Sequence, residues 1–223
     1  MTTAMDIISR VVRILHDEEF TRWSRSELLD WVNEALVSIA TVPGAYSKTI
    51  KMNLAHGTRQ VLPQDAISLV TVSRNFDGDI PLTAVTVTSR ELLDAFRPMW
   101  HMLSERPLVE NYIYDDRKPK EFSVYPPNDG TGCIEVTYVG IPERVGENDQ
   151  LPFDDTYIPA IVNYTVYRAY CKESDYSSGI QNAQGFYQAY QSELAAVSGV
   201  RGSMTPNAAL LPDTTVNPTG GTE

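Results

Sequence analysis

The chain has 223 residues, of which 42% are hydrophobic and 21% charged, a composition typical of folded rather than disordered proteins. Its formal net charge of −11 excludes a protein that binds DNA through basic charge, although an acidic wall along which DNA slides without sticking is compatible with it. No apolar run approaches the roughly 20 residues needed to cross a membrane, and Asp6, Arg10 and Arg13 interrupt the only candidate signal peptide, so we expect a cytoplasm-like compartment.

Residues 1–45 predict the N-terminal helices of a helical body. Apolar residues recur at helical spacing between Ile7 and Leu15, with basic residues on the other side. Ser24, followed three residues later by Glu27, has the pattern of a capping box and predicts the start of a second helix. The buried stripe of that helix is predicted between Leu28 and Ile39.

Residues 46–150 predict a mostly antiparallel β region with one short helix. Ile50, Met52 and Leu54 alternate with polar residues, which is the two-residue period of a strand with one buried face. Two longer strands are predicted on either side of a turn at Asp77-Gly78.

The same region contains a short helix and a predicted hairpin. Thr88 and Glu91 repeat the capping-box spacing, and Pro98 predicts where that helix ends. The stretch EFSVYPPNDGTGCIEVTYVGIP predicts a β-hairpin with its turn at Asn128-Asp129-Gly130. Its buried face is predicted at Ile134, Val136 and Tyr138.

Residues 151–198 predict a C-terminal pair of helices rich in tyrosine. In the first helix two apolar stripes, one of which contains Tyr164 and Tyr167, indicate a helix that contacts more than one neighbour. A break is predicted between Lys172 and Gly179. In the second helix apolar residues step alternately by three and four, as in a coiled-coil contact. They are Ile180, Ala183, Tyr187, Tyr190, Leu194 and Val197.

We call these eight residues, Tyr164 and Tyr167 with the six of the second helix, the helix seam. Two arrangements fit the helix seam and do not exclude each other: a helix hairpin within one subunit, which is favoured, and a contact between subunits. The opposite side of the second helix carries glutamines where a free surface helix would usually carry Lys and Glu. They are Gln181, Gln184, Gln188 and Gln191.

Residues 199–223 predict a flexible tail. The segment is rich in Gly, Pro, Thr and Asn and has no periodicity, so it should be disordered in isolation. Leu210, Leu211 and Pro212 form an apolar group within it. This group is either a motif that docks on a partner or part of an inert extension.

No catalytic residue, metal site or cofactor is predicted. His16, His56 and His101 lie far apart and have no metal-binding spacing. Cys133 and Cys171 lack CxxC spacing, so we expect small core residues rather than a disulfide.

Adjacent carboxylates are the remaining candidates for chemistry. Glu18-Glu19 and Asp115-Asp116 could supply the acid and the base of a glycosidase. Adjacent carboxylates in loops are usually solvated charge, and the sequence therefore favours a protein that is not an enzyme.

Three stretches resemble bacteriophage head-to-tail adaptor (connector) proteins. RWSRSELLDWVNEALVSIATVPGAY is similar to their N-terminal helix. LPFDDTYIPAIVNYTVYRAYCKESDYS, followed by NAQGFYQAYQSEL, is similar to their C-terminal helical pair. Together these stretches cover roughly a third of the chain, and their motifs are packing motifs rather than catalytic ones.

The resemblance implies a virion protein at the head-tail junction, assembled in the host cytoplasm. Members of that family form a dodecameric ring beneath the portal protein and link it to the tail. Its implied partners are further copies of the chain, the portal protein and a tail or nozzle protein. The genome would pass through the ring without sequence-specific binding, and no membrane is involved.

The sequence as a whole therefore predicts an α+β structural protein. Its helical body combines the N-terminal helices with the C-terminal pair, an antiparallel β-domain lies in the middle, and the tail is extended. Two alternatives stay open: another neck or tail-completion protein, and a tail-associated cell-wall glycosidase.

Overall fold

A computed structural model describes residues 2–172 and 177–203 of the chain. Its helices are α1 (Ala4–Leu15), α2 (Arg25–Ala40), α3 (Arg90–Phe96), α4 (Ile158–Lys172) and α5 (Ser177–Ser203), with short 3-10 turns at Trp100–Met102 and Asp155–Tyr157. Its strands are β1 (Lys48–Asn53), β2 (Gly57–Val61), β3 (Ala66–Asp77), β4 (Ile80–Ala84), β5 (Thr86–Val87), β6 (Asn111–Tyr114), β7 (Glu121–Asn128) and β8 (Cys133–Gly140). The predicted α+β fold, with helices at both ends of an antiparallel β region, is confirmed.

Capping boxes begin the first two helices. At α1 the Thr3 hydroxyl accepts a hydrogen bond from the Asp6 N–H, and the Asp6 carboxylate accepts one from the Thr3 N–H at 2.8 Å. Ser24 and Glu27 form the same reciprocal pair at α2, as their spacing predicts. Each box satisfies backbone donors that have no partner inside the helix.

A buried carboxylate shapes the loop between α1 and α2. Asp17 accepts hydrogen bonds from the backbone N–H groups of Thr21, Arg22 and Trp23. The Thr21 hydroxyl also donates to Asp17 at 2.6 Å. This hydroxyl bond, together with the backbone donors, lowers the pKa of Asp17 to about 2. The loop therefore holds the Trp23 side chain in the core.

The centre of the helical body is α4, which packs against α1, α2 and α5. Apolar stripes of all these helices meet in one core, as their spacing predicts. Its largest fully buried aliphatic side chains are Ile7, Ile8, Val11, Leu28, Val32, Leu36, Ile39 and Ile161. Each contributes about 1.5–3 kcal/mol of burial free energy, so this core is the main stabilising element of the helical body.

Two four-stranded sheets build the β region. Their strand orders are β1-β8-β3-β4 and β2-β7-β6-β5, and β5–β6 is the single parallel pair among the described strands. Side chains from both sheets share one core, so the sheets pack face to face. That core includes Val72, Phe122, Val124, Ile134, Val136 and Tyr138. The predicted buried face of β8 is therefore confirmed.

The predicted hairpin of β7 and β8 is wrong, because the two strands belong to different sheets. At the turn, the buried Asn128 side chain donates to the carbonyls of Arg106 and Pro107 and accepts from the N–H groups of Gly130 and Gly132. A Cβ at Gly132 would lie 2.3 Å from the Pro107 carbonyl oxygen, so only glycine fits there. Alternation predicts which residues are buried, but these long-range bonds decide where the strand goes.

The short helix α3 begins one residue later than the capping-box spacing indicates. The Ser89 hydroxyl, rather than that of Thr88, accepts the hydrogen bond from the Leu92 N–H. Both residue types can cap a helix, and Ser89 has the extended backbone of a cap. The helix ends at Phe96, just before the predicted stop at Pro98.

The C-terminal pair consists of α4 and α5. Helix α4 ends at Lys172, where the predicted break begins, and α5 runs to Ser203. The last five residues of α5 therefore lie within the segment 199–223 that the sequence assigns to the tail. Leu210, Leu211 and Pro212 lie outside the described residues.

The two cysteines are free thiols in different surroundings. Cys133 is half-buried, at the start of β8, whereas Cys171 is exposed near the end of α4. The expectation of a core residue is therefore wrong for Cys171. Its position in the last turn of α4 faces solvent.

The segment between β8 and α4 ties the β region to the helical body. The Val145 backbone exchanges two hydrogen bonds with the Asn33 side chain of α2. The Met5 N–H donates to the Glu147 carbonyl at 2.8 Å, which satisfies one of the free donors at the start of α1. The segment between β8 and α4 is thus hydrogen-bonded to both N-terminal helices.

Candidate functional site

Four tyrosines of the helix seam form one aromatic cluster between α4 and α5. The ring centroids of Tyr164 and Tyr190 are 5.1 Å apart, and those of Tyr167 and Tyr187 are 4.9 Å apart. The Tyr190 hydroxyl also reaches α2, where it lies 2.7 Å from the Ser38 hydroxyl. Ring pairs at such distances each stabilise the fold by about 0.5–1.5 kcal/mol. These contacts all lie within one chain.

The other four residues of the helix seam differ in burial. Ala183 is buried, and Leu194 and Val197 pack, partly buried, against the core of the helical body. Ile180, in the first turns of α5, is about half exposed. The helix seam is therefore closed along most of its length and open near the start of α5, where the Tyr187 ring is also partly exposed.

The tyrosine cluster is electrically neutral. Burial raises the pKa of the Tyr190 hydroxyl, although its hydrogen bond with Ser38 acts in the opposite direction. The hydrogen bond with Cys171 raises the pKa of Tyr167. Both hydroxyls stay protonated at neutral pH, so the cluster provides packing area and hydrogen bonds rather than charge.

The glutamine side of α5 is exposed over its length. Beside the cluster lies an open groove of about 390 Å³ between α2, α4 and the segment 142–144. Its lining includes Leu36, Val37 and Tyr164, and Arg168 pairs with Glu34 at the same place. The helical body therefore offers neutral and apolar surface as well as charge.

A cleft of about 800 Å³ in the β region is lined by acidic and basic side chains in equal number. Asp115 and Asp116, one of the two predicted pairs, line it together with Glu91 and Glu121. The Arg59 guanidinium donates to Glu121 and lowers the pKa of that carboxyl. The acid of a glycosidase needs a raised pKa, so Glu121 has the opposite property.

His101, one of the three candidate histidines, also lines this cleft, whereas the other candidate groups lie elsewhere. Glu18 and Glu19, the second predicted pair, are exposed in the loop after α1. His56 pairs with Glu105 at 2.8 Å, and both are at the surface. Within residues 2–172 and 177–203, no three His, Cys, Asp or Glu side chains are placed to hold a metal ion.

The sequence does not predict the exposed apolar surface that the structure shows around α3. We call it the apolar surface and define it as Val87, Leu92, Phe96, Met99, Met102, Leu103 and Leu108. Leu92 and Phe96 are four residues apart, which places them on one face of α3, whereas Leu93 is buried. A helix of seven residues is too short for periodicity to separate a buried face from an exposed one.

A comparison with protein families matches residues 2–210 to the family model described as SU10 adaptor protein. The matched range contains the helical body, both sheets and the apolar surface. No curated protein matches the chain. Among the described helices, none is both long and apolar enough to span a membrane.

Proposed function

Because the chain belongs to the SU10 adaptor protein family, we propose that it is the head-to-tail adaptor of a phage virion, forming a ring beneath the portal and continuing the DNA channel to the tail. The observation that carries the proposal is the family match over residues 2–210, which includes every described helix and strand. The family is one of structural phage proteins rather than enzymes. The match also confirms the resemblance carried by the N-terminal and C-terminal helices.

The charge of the chain supports a passage for DNA. A net charge of −11 repels phosphate, so a genome can move along such a wall during packaging and ejection without binding to it. A basic wall would bind DNA more tightly with every added phosphate contact. An acidic surface therefore suits a channel through which DNA must move and does not suit a protein that must hold DNA.

The same charge bears on assembly. Copies that each carry −11 repel one another, so the free chain should be a monomer or a small oligomer. A portal ring that binds each copy raises the local concentration of its neighbours and can offset this repulsion. We propose a ring of twelve copies on the portal, with a tail or nozzle protein on the distal side and residues 204–223 docked on the portal.

Native mass spectrometry of the full-length chain mixed with purified portal rings of the same phage tests the proposal. We expect a discrete complex with a complete ring of copies on each portal, and mostly monomer without the portal. Failure of the chain to bind portal rings at any concentration tried would contradict the proposal. A cell-wall zymogram tests the glycosidase alternative, for which we expect no clearing.

A further inference from the structure

The helical body and the β region have separate hydrophobic cores. The core of the helical body is built from residues 4–45 and 145–197, whereas the two clusters of the β region lie between residues 50 and 138. Among the described residues, no side chain belongs to a core of both regions. Two folded units that share no apolar core are expected to move relative to each other, because no buried area is lost when they do.

The polar contacts of the β region also stay within it. In the described part of the chain, every hydrogen bond and ion pair of residues 48–141 ends on another residue of that range. Lys48 and Tyr138, for example, both bind the Asp65 carboxylate. The helices have contacts of their own, such as the one between Ser38 and Tyr190. Polar side chains therefore do not fasten the strands to the helices.

The chain passes from the helical body into the β region at a first crossing of one residue. The Tyr46 ring packs on the Phe153 ring with a centroid distance of 5.3 Å, and Phe153 packs against the core of the helical body. Lys48 begins β1 and pairs with Asp65 at 2.7 Å, so it belongs to the β region. Ser47, which is exposed, is the residue between these two anchors.

The chain returns to the helical body at a second crossing, which is equally short. The Ile141 N–H donates to the Asp65 carbonyl at 2.8 Å, which holds Ile141 on the β region. Pro142 is buried and lines the groove beside α2 and α4. Val145 then binds the Asn33 side chain. The peptide bond between Ile141 and Pro142 therefore joins the last residue held by the β region to the first residue held by the helical body.

The two crossings lie side by side. Strands β1 and β8 are antiparallel neighbours, with Lys48 paired to Tyr138, so the start of β1 and the end of β8 are at the same end of the sheet. Paired strands are about 5 Å apart. Two connections at so short a distance define an axis that passes through both. Rotation about this axis changes the angle between the two regions and breaks no contact inside either of them.

We propose that Ser47 and Ile141 form a hinge about which the β region turns as a rigid body relative to the helical body. The inference goes beyond the proposed function, because it concerns the free chain and needs neither a ring nor a portal. Hinges of this kind absorb changes of backbone torsion at a few residues where elements end, and both cores stay packed. Distances within each region are therefore fixed, whereas distances between the regions vary.

Distances between two spin labels test the hinge in the full-length free chain. One label is attached to a cysteine in place of Arg10 in α1, and the other to a cysteine in place of Val61 in β2, since both positions are exposed. Cys133→Ser and Cys171→Ser remove the native thiols. Double electron-electron resonance in frozen solution records every orientation that is present, whatever the rate of motion. We expect a distance distribution about twice as wide as that of two labels within one region.

Two further label pairs are the matched controls. Cysteines at Arg10 and Gln188 both lie in the helical body, and cysteines at Val61 and Ile80 both lie in the β region. Each of these pairs should give a narrow distribution. If the pair at Arg10 and Val61 gave a distribution as narrow as the two controls, the regions would form one rigid body and the hinge would be overturned.

Lengthening the first crossing gives a second readout. Two glycines inserted between Ser47 and Lys48 should widen the distribution for Arg10 and Val61 further and leave the melting temperature unchanged, because this point lies outside both cores. The same insertion between Asp77 and Gly78, at the turn between β3 and β4, is the control and should leave the distribution as it is.

A distribution that the insertion at Ser47 does not widen would overturn the assignment of the hinge to this crossing. These outcomes are independent of the adaptor function, which binding to portal rings tests separately.

Discussion

The helical body and the β region are specified in different ways. In the helical body, capping boxes and apolar stripes are local features of the sequence, and the helices form where those features lie. In the β region, β3 pairs with β4 and β6 with β7, but other neighbours are far apart in the chain: β1 pairs with β8, and β2 pairs with β7. Local pattern therefore decides where the helices form, whereas the order of the strands in the two sheets also depends on long-range bonds.

Buried amide side chains carry much of that long-range information. Asn75 in β3 and Asn128 in β7 are buried, and each makes hydrogen bonds to the backbone of a distant segment. In the helical body Asn33 has a similar role, but apolar packing and tyrosines dominate. We therefore expect that replacing a single buried polar residue lowers the stability of the β region more than that of the helical body.

The largest expected effect is that of Asn75→Ala. The Asn75 amide donates to the Val109 carbonyl at 2.8 Å and to Thr83, and its carbonyl oxygen accepts from the Val109 N–H at 3.0 Å. Removing the side chain leaves buried backbone groups unsatisfied, at a cost of about 4 kcal/mol. Hydrogen exchange should accelerate in β3 and β4 and stay unchanged in α2 and α4.

The control for this change is Asn53→Ala, which removes the same side chain from an exposed position in β1 and should be near neutral. If Asn75→Ala accelerated hydrogen exchange equally in the helices and the strands, the two regions would unfold as one unit. That result would contradict the separate stabilisation of the helical body and the β region.

A smaller effect is expected from Tyr190→Asp in the helical body. The substitution buries a carboxylate among aromatic rings, which should lower the free energy of unfolding by about 3 kcal/mol in thermal or urea denaturation. Tyr190→Phe removes only the hydrogen bond with Ser38 and should cost about 1 kcal/mol. Gln191→Asp, on the exposed side of α5, serves as the control. A Tyr190→Asp protein that melts like the wild type would show that the cluster does not stabilise the subunit.

The Asp17 carboxylate, in the loop between α1 and α2, should make the free energy of unfolding depend on pH. The pKa of Asp17 is held at about 2, below its ordinary value of 3.8, so the ionised carboxylate stabilises the fold above about pH 4 and this contribution is lost as the pH falls through 2. Asp17→Asn should be less stable than the wild type at pH 7, and the difference in urea midpoint should shrink between pH 4 and pH 2. Glu18→Gln, on an exposed neighbour, should show no such convergence. A difference independent of pH would contradict this role of the charge.

The smallest effect on stability is expected from deleting residues 204–223. This truncation keeps the whole of α5 and every described strand, so the melting temperature should be unchanged. We expect weaker binding to portal rings, with Leu210→Asp plus Leu211→Asp reproducing the loss. Normal saturation of portal rings by the truncated chain would indicate an inert tail.

The limits of sequence reasoning follow from the same comparison. The start of α2 at Ser24 and the buried face of β8 could be predicted, since both depend on near neighbours in the chain. The assignment of β7 and β8 to different sheets could not be predicted. The side chain of Asn128 binds the backbone carbonyls of Arg106 and Pro107, which lie about twenty residues away and carry no sequence signal. The tyrosine spacing predicts a helix contact, but it cannot tell whether the partner helix belongs to the same chain.

The most direct test of the adaptor assignment is a cryo-EM reconstruction of the full-length chain bound to the portal. We predict a closed ring of the chain coaxial with the portal, with Tyr164 and Tyr190 in contact inside each subunit. A portal decorated by isolated copies, or by none, would contradict the assignment of this chain as the ring that joins head and tail.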